Sequence, residues 1–323
     1  MNVPVSILDL VHLRQGASIS EAIGNSVKIA QEAEKQGFKR VWYAEHHNMP
    51  TIASSATAVL IGHVADHTST IRLGAGGVML PNHSPLVIAE QFGTLQEMHG
   101  ERIDLGLGRA PGTDQTTLRA LRRSPNASET FPDDVVELQE LLSSQPREVN
   151  AYPGHGTNVP LYILGSSFFG ANLAAQLGLP YAFASHFAPT HLRHAAGIYR
   201  EAYQPSEQHP EPYFIAALNT ICAEDPAVAT QEAEEAFQLR VEALVGRNRR
   251  FSATDKQLLL SSPAADQVRS MLQYSAVGTP EQVADYHRSF AEQVRADEII
   301  TTLASPHLDG QLRTLKLLGN LRA

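Results

Sequence analysis

The chain has 323 residues, of which 43% are hydrophobic and 18% charged, so it should fold and is not a disordered polyelectrolyte. Its length fits either two domains of ordinary size or one large α/β barrel. The 34 acidic and 25 basic residues give a net charge of −9, and no lysine and arginine cluster could neutralise a row of phosphates. We therefore expect no nucleic-acid partner.

The single cysteine, Cys222, excludes an intrachain disulfide framework and fits a reducing compartment. It lies among apolar residues, which favours a small buried side chain over a nucleophile. The first residues lack the pattern of a secretory signal, and no run approaches the ~18 apolar residues of a membrane span. We expect a soluble cytoplasmic protein without a membrane partner.

Apolar β-rich runs alternate with helical patterns along the chain, which indicates a parallel sheet whose strands are joined through helices. The first helix begins at the capping box Ser18–Glu21 and ends at Gly37, where a left-handed residue fits. The strands are predicted at residues 5–10, 40–44, 71–78, 102–107, 161–164, 181–184, 213–222 and 298–303. Further helices are predicted at about residues 54–67, 85–100, 133–142, 170–177, 190–203, 226–245, 279–294 and 307–321.

Eight strand and helix units predict a closed (β/α)8 TIM barrel in a single domain over residues 1–323, with insertions after strands four and seven. A doubly wound open sheet is the competing fold. It usually carries a glycine-rich turn after the first strand, whereas Gly16 lies well into a polar loop. Residues 246–278 fit no repeat unit and are expected to be irregular.

The carboxyl ends of barrel strands form the active sites of this fold, and here they carry polar residues. Strand two ends in Glu45-His46-His47. An imidazole can exchange protons near neutral pH, so His46 or His47 is a candidate general acid or base, and only one of the two can point inward. The alternative is that both histidines bind loop carbonyls.

A candidate anion site follows strand five. Free backbone N–H groups at the start of the next helix, with the hydroxyls of Ser166 and Ser167, would suit a phosphate, and Arg109 at the end of strand four could add a cation. The alternative is a serine that only caps the helix. In strand three, Gly76 and Gly77 indicate either a bulge at the barrel rim or a flat ligand, such as an isoalloxazine ring, against the backbone.

A metal site is the weaker hypothesis. Neighbouring histidines on an extended chain diverge, and neither a His-x-His strand nor an H-E-x-x-H helix is present, so we predict no metal. The residues considered as ligands are His46, His47, His83, His186 and Asp104.

Several motifs, in this order, resemble those of bacterial luciferase and the luciferase-like flavin monooxygenases. They span nearly the whole chain and are most similar to the single-chain subgroup called alkanal monooxygenase-like. The motifs are residues 44–48 (AEHHN), 73–85 (LGAGGVMLPNHSP), 86–94, 102–112 (RIDLGLGRAPG) and 165–180 (GSSFFGANLAAQLGLP).

The resemblance implies a (β/α)8 barrel that receives reduced FMN from a separate flavin reductase. With O2, it would oxidise a small organic substrate through a flavin 4a-hydroperoxide. The resemblance places the catalytic histidine at His46, a non-proline cis peptide beneath the flavin at Gly76–Gly77, and the FMN phosphate at Arg109. It also implies a mobile lid at residues 246–278 and a homodimer that pairs through helices on one side of the barrel.

The remaining cofactor-binding residues implied by the resemblance are Glu45 and the strand-five loop residues Ser166, Ser167 and Phe168. Three departures from luciferase, Gly108 for a cysteine, Ser166 for a glutamate and Ser84 for a histidine, leave flavin binding plausible and argue against light emission. The alternatives are an F420- or flavin-dependent oxidoreductase that only transfers hydride, a flavin-binding accessory protein without turnover, and a metal-dependent barrel hydrolase.

Overall fold

The computed structural model describes residues 3–14, 16–110, 114–124, 126–246 and 251–320. Its strands form one parallel sheet in the order β6-β5-β4-β3-β2-β1-β9-β7-β8, and β6 also pairs with β7. Eight strands therefore close the expected barrel, and β8 extends β7 outside it. The strands are Val5–Asp9 (β1), Arg40–Tyr43 (β2), Arg72–Met79 (β3), Ile103–Gly108 (β4), Leu161–Gly165 (β5), Tyr181–Phe183 (β6), Phe214–Cys222 (β7), Ser275–Gly278 (β8) and Glu298–Leu303 (β9).

Helices surround the barrel, and their ends follow local capping chemistry. In the first helix, the Ser18 hydroxyl accepts from the Glu21 backbone at 3.2 Å, and the Glu21 carboxylate accepts from the Ser18 backbone at 2.6 Å. Gly37 has a φ of 71°, as its position after the helix requires. The helices are Ile19–Lys35 (α1), Thr57–Ala65 (α2), Pro85–His99 (α3), Gln115–Ala120 (α4), Phe131–Leu142 (α5), Phe168–Leu177 (α6), Leu192–Ala202 (α7), Pro226–Val245 (α8), Ala253–Leu259 (α9), Pro263–Met271 (α10), Pro280–Val294 (α11) and Leu308–Asn320 (α12).

Two insertions distinguish this chain from a minimal barrel, as expected. The first, after β4, contains α4, which Asp114 caps by accepting from the Thr117 backbone. The second, after β7, contains α8, α9, α10 and β8. The expectation of an irregular stretch at residues 246–278 was therefore wrong for its described part. Ser252 and Asp255 form a capping box at the start of α9. The helices α9 and α10 and the strand β8 are too short to show a clear hydrophobic period in the sequence.

The barrel interior is layered. Apolar side chains that include Leu8, Trp42 and Ile300 pack inside the strands, separately from the larger core between strands and helices. Towards the amino ends of the strands, Arg40 contacts Asp104 at 2.7 Å and Glu298 at 2.9 Å, and all three side chains are at most 2% exposed. Such buried charges are tolerated because they are matched and hydrogen-bonded. Asp104 thus belongs to this network and not to the opposite end of the barrel.

Among the residues that the structure describes, no helix combines the length and apolar character needed to cross a bilayer. Cys222 is fully buried in β7, and burial raises the pKa of its thiol to about 12, so the thiol stays protonated. This agrees with its expected role as a small core residue.

Candidate active site

A cavity of about 420 Å³ lies at the carboxyl ends of the barrel strands, within the usual range of about 300–1,000 Å³ for ligand sites. Its walls are mostly apolar. Polar groups concentrate on one side, after β4 and β5, while histidines follow β2 and β6. The lining includes Leu8, Leu10, Trp42, Ala44, His46, Gly76, Gly77, Met79, Gly108, Arg109, Ser128, Phe131, Leu164, Ser166, Ser167, Phe169, Phe183, His186, Phe187, Ala217 and Ile300.

The peptide between Gly76 and Gly77 is part of this lining and is cis, as the resemblance implied. The register between β3 and β4 also shifts between Ala75 and Val78, so a bulge is present. A Cβ on Gly76 would lie 2.8 Å from the Cβ of Trp42, and one on Gly77 would lie 2.7 Å from the Gly106 carbonyl oxygen. Glycine is therefore required for this backbone to pack against its neighbours while it borders the cavity.

The polar side of the cavity contains Arg109, Ser166 and Ser167, which the sequence analysis assigned to one anion site. Arg109 donates from Nε to the Ser128 carbonyl at 3.1 Å, and its guanidinium lies 4.0 Å from the ring centre of Phe169. Ser167 is the N-cap residue of α6, but its side chain makes no capping hydrogen bond. The first N–H groups of α6 therefore have no side-chain cap and can bind an anion.

His46 and His47 diverge, as expected for neighbours on an extended chain. His46 lines the cavity, and its Nδ1 is buried without a hydrogen-bond partner in the described part of the chain. Burial lowers the pKa of His46 below 6.5, only partly opposed by the charge of Glu45, so the imidazole is neutral at pH 7. A neutral imidazole facing a ligand cavity can accept or donate a proton.

Glu45 lies outside the cavity lining and binds two histidines. Its Oε1 accepts from Nε2 of His47 at 2.7 Å and of His83 at 2.8 Å, and Oε2 accepts from the Met79 backbone at 3.2 Å. Burial opposes ionisation, but the hydrogen bonds from both histidines outweigh it and lower the pKa of Glu45 to about 2. The carboxylate thus joins the loops that follow β2 and β3.

Among the residues that the structure describes, the same trio could also be considered a metal cluster, since its ligand atoms lie within 4.8 Å of one another. Two ligands on a tetrahedral zinc would lie roughly 3.3 Å apart. The contacts of Glu45 with His47 and His83, at 2.7 and 2.8 Å, instead have the length of hydrogen bonds. The geometry favours a hydrogen-bonded carboxylate.

The positions of Phe168, Phe169 and His186 differ from what the sequence predicted. Phe169 lines the cavity, whereas the ring of Phe168 lies 4.8 Å from that of His191, outside the lining. His186, which received no role of its own, also lines the cavity and is 7% exposed. Burial, reinforced by the charges of Arg240 and His46, lowers the pKa of His186 to about 3. The cavity therefore contains a second neutral imidazole.

Comparison with known proteins gives a consistent result. The family model described as luciferase-like monooxygenase matches residues 1–297. A luciferase-like monooxygenase of Escherichia coli (strain K12) is 44% identical over 307 residues, which cover 92% of this chain and 90% of that protein. The crystal structure of apo-MsnO8 is 30% identical and superimposes with a TM-score of 0.88 over 98% of both chains.

Two more distant structures share the fold. The first is the oxygenating constituent of 3,6-diketocamphane monooxygenase from Pseudomonas putida in complex with FMN, at 16% identity, TM-score 0.76, and coverage of 99% of this chain and 97% of that one. The second is an F420-dependent secondary alcohol dehydrogenase in complex with an F420-acetone adduct, at 18% identity, TM-score 0.72 and 98% coverage of each chain. From the family match and the close relatives, the chain belongs to the luciferase-like monooxygenase family.

Proposed function

We propose that the protein is an FMN-dependent monooxygenase of the two-component type. It would receive reduced FMN from a separate flavin reductase and use O2 to oxidise a small organic substrate. The observation that carries this proposal is one cavity that joins the Gly76–Gly77 backbone to an anion site formed by Arg109 and the start of α6. FMN has these two parts, a flat ring system and a phosphate, at its opposite ends.

The residues present fit FMN. The flat ring would lie against Gly76 and Gly77, where no side chain intervenes, above Trp42. The phosphate would accept hydrogen bonds from Arg109, from the Ser166 and Ser167 hydroxyls, and from the first N–H groups of α6. When bound, reduced FMN supplies the electrons that activate O2.

Two of the proposed cofactor-binding residues would act from outside the cavity lining. Glu45 holds the loop that carries His46 against Met79, at the end of the strand that contains Gly76 and Gly77. Phe168 is the first residue of α6, so its packing orients the N–H groups that would meet the phosphate. We propose that both preserve the geometry of the site.

His46 is the proposed catalytic residue. Because its imidazole is neutral at pH 7 and its buried Nδ1 has no partner among described residues, the ring can hold or release a proton towards the cavity. His47 cannot share this role while it donates to Glu45.

We propose that residues 246–278 act as a lid that excludes water from the cavity. In support, α9 buries none of its described side chains, and its Leu258 is 68% exposed. An apolar side chain on a loosely packed helix can cover a cavity mouth when the helix moves inward.

We also propose a homodimer that forms through α2 and α3, which are neighbours on one side of the barrel. Their exposed apolar side chains include Val59 (75% exposed), Val87 (43%) and Met98 (62%). Sedimentation should give the mass of two chains, and Val59→Glu should give a monomer if these helices form the interface.

The cofactor can be tested with Trp42, the only tryptophan in the chain. Because Trp42 lines the cavity, bound FMN should quench the tryptophan fluorescence, and titration should give the stoichiometry and affinity. Preference for F420 over FMN would contradict the cofactor assignment.

Rapid mixing tests the reaction type. Reduced FMN bound to the protein should return to the oxidised state in O2 more slowly than free reduced FMN, because the site controls access of water. Equal rates for bound and free flavin would contradict the monooxygenase. Oxidation of the bound reduced FMN by an organic carbonyl compound in the absence of O2 would favour the hydride-transfer alternative.

A further inference from the structure

His186 is a buried imidazole that the proposed binding of FMN does not use. It follows β6, lines the cavity and is 7% exposed. Within the part of the chain that the structure describes, neither of its ring nitrogens has a hydrogen-bond partner. Buried polar groups in proteins are normally hydrogen-bonded, and an apolar side chain could fill this place without leaving a polar atom unpaired. The imidazole therefore indicates a bonding partner that enters through the cavity.

The two ring nitrogens of His186 differ in their surroundings. Nδ1 is buried, whereas Nε2 is accessible on a side chain that lines the cavity. A neutral imidazole carries its proton on one of the two nitrogens, and the other nitrogen is then an acceptor. A buried N–H without an acceptor is rarer in proteins than a buried acceptor without a donor. The tautomer with the proton on Nε2 is therefore favoured, and it presents one N–H donor to the cavity.

The segment that carries His186 is held in place by hydrogen bonds from the neighbouring strands. Nδ2 of Asn219, in β7, donates to the His186 carbonyl at 2.9 Å. The Thr302 hydroxyl, in β9, donates to Oδ1 of Asn219 at 2.8 Å and so orients its amide. The ring of Phe187 packs edge-on against the imidazole, with the ring centres 4.9 Å apart. A group held in this way can bind a ligand without first being ordered.

The cavity has a half that suits FMN and an apolar half. In the closed barrel, three strands separate β2 from β6 in each direction, so His46 and His186 lie on opposite walls. On one side, β3, β4 and β5 carry the Gly76–Gly77 backbone and the proposed phosphate site. On the other side, the described residues that line the cavity from β1, β9 and β7 are apolar, and they are Leu8, Leu10, Ile300 and Ala217. FMN in the first half would leave the apolar half to the substrate.

The apolar half disfavours a charged ligand. Arg109 is the only charged residue in the described lining, and the proposed phosphate site uses it. An ion in the apolar half would lose its hydration without an opposite charge to compensate the loss. Burial lowers the pKa of His186 to about 3, so its imidazole is neutral at pH 7 and does not attract an anion. An uncharged molecule with a hydrogen-bond acceptor fits these surroundings better than an acid or an amine.

We propose that His186 binds the substrate, an uncharged molecule with an apolar body and one hydrogen-bond-accepting oxygen, such as a carbonyl oxygen. The oxygen would accept from Nε2 of His186, and the apolar body would lie against Leu8, Ile300 and Ala217. His46, on the opposite wall, keeps its separate role in proton transfer. The identification of this ligand as the substrate rests on the proposed function, whereas the binding of a neutral acceptor beside His186 does not.

The test compares acetophenone with α-methylstyrene, in which a CH2 group replaces the carbonyl oxygen, by ligand-observed NMR titration of the whole protein. His186→Leu should weaken acetophenone binding about three- to tenfold and change α-methylstyrene binding less than about twofold. His186→Gln should lose less, because it keeps an N–H donor. His67→Leu, which replaces an exposed histidine ahead of β3 at the opposite end of the barrel, is the matched control and should bind both probes like wild type.

Two further measurements use the wild-type protein and do not depend on the folding of a variant. In protein labelled with 15N-histidine, acetophenone should shift the Nε2 resonance of His186, and α-methylstyrene should not. In the FMN-loaded protein, where Arg109 is occupied, the charged probe 4-acetylbenzoate should bind at least about tenfold more weakly than acetophenone.

Four results would overturn the proposal: no binding of acetophenone to wild type at millimolar concentration, equal weakening of both neutral probes by His186→Leu, an unchanged Nε2 resonance, or equal affinity for acetophenone and 4-acetylbenzoate. FMN affinity, followed through Trp42, separates this site from the proposed function. If FMN fails to bind but acetophenone binding still depends on His186, the flavin assignment fails and the acceptor site stands. If His186→Leu instead weakens FMN, His186 belongs to the flavin site and the proposal is wrong.

Discussion

Replacing Arg109 with alanine isolates the contribution of the phosphate group to FMN binding. Arg109 is oriented by the Ser128 carbonyl at 3.1 Å and by the ring of Phe169 at 4.0 Å, so its two terminal amino groups remain available to phosphate oxygens. A charge-assisted hydrogen bond contributes about 1.5–3 kcal/mol, which corresponds to roughly 10- to 150-fold in the dissociation constant. Because Arg109 is partly exposed and screened by solvent, we expect a loss of about 10- to 30-fold.

The assay is quenching of Trp42 fluorescence by FMN and by riboflavin, which lacks the phosphate. Arg109→Ala should weaken FMN and leave riboflavin within about twofold of wild type. Arg119→Ala, an exposed arginine in the same insertion, serves as the control and should bind both ligands normally. Equal weakening of FMN and riboflavin by Arg109→Ala would show that the phosphate lies elsewhere.

Three further predictions concern Gly76, which borders the cavity, the proposed catalytic residue His46, and the carboxylate of Glu45. Gly76→Ala should lower the free energy of unfolding, measured in urea, by about 1–3 kcal/mol, because the new Cβ would lie 2.8 Å from the Cβ of Trp42. The control is Gly197→Ala, whose Cβ would meet no atom within 4 Å and which should not lower this free energy. Equal effects of the two substitutions would refute the packing argument. His46→Ala should keep FMN affinity within about threefold but reduce O2-dependent turnover. Since the pKa of His46 lies below 6.5, wild-type turnover should decrease only when the pH falls below the pKa of His46. If turnover by His46→Ala decreased in acid in the same way as turnover by the wild type, the assignment of His46 would be wrong. The folded-state pKa of Glu45 is about 2 against an ordinary 4.5, so its stabilisation is complete above pH 4.5 and is lost as the pH falls towards 2. Glu45→Gln should therefore be less stable at pH 7 by about 1–3 kcal/mol, with a difference that narrows in acid, and a constant difference in urea unfolding would refute this reading.

Much of the barrel could be predicted from the sequence, because buried strands and capped helices are local patterns. Successive side chains of a strand point to opposite faces, and this alternation explains which residues line the cavity. Trp42 and His46 are four residues apart on one face of β2 and its extension, and Ala182 and His186 have the same spacing after β6. Counting by two from β6 would have identified His186 as a lining residue, as counting from β2 identifies His46.

Other features depend on contacts that no local pattern encodes. Ser128, which orients Arg109, is 19 residues further along the chain. The helices α9 and α10 have 7 and 9 residues, too few for a hydrophobic period to rise above neighbouring loops.

The charged layer beneath the cavity constrains how this protein could be redesigned. Asp104 Oδ2 accepts from Arg40 at 2.7 Å and from the indole Nε1 of Trp42 at 3.0 Å. Any attempt to enlarge the cavity by shortening Trp42 would leave a buried carboxylate with one donor fewer and would destabilise the barrel itself. New ligand preferences are therefore easier to engineer, and easier for evolution to reach, by changing lining residues at the carboxyl ends of the strands than by changing Trp42, which is bonded to the charged layer.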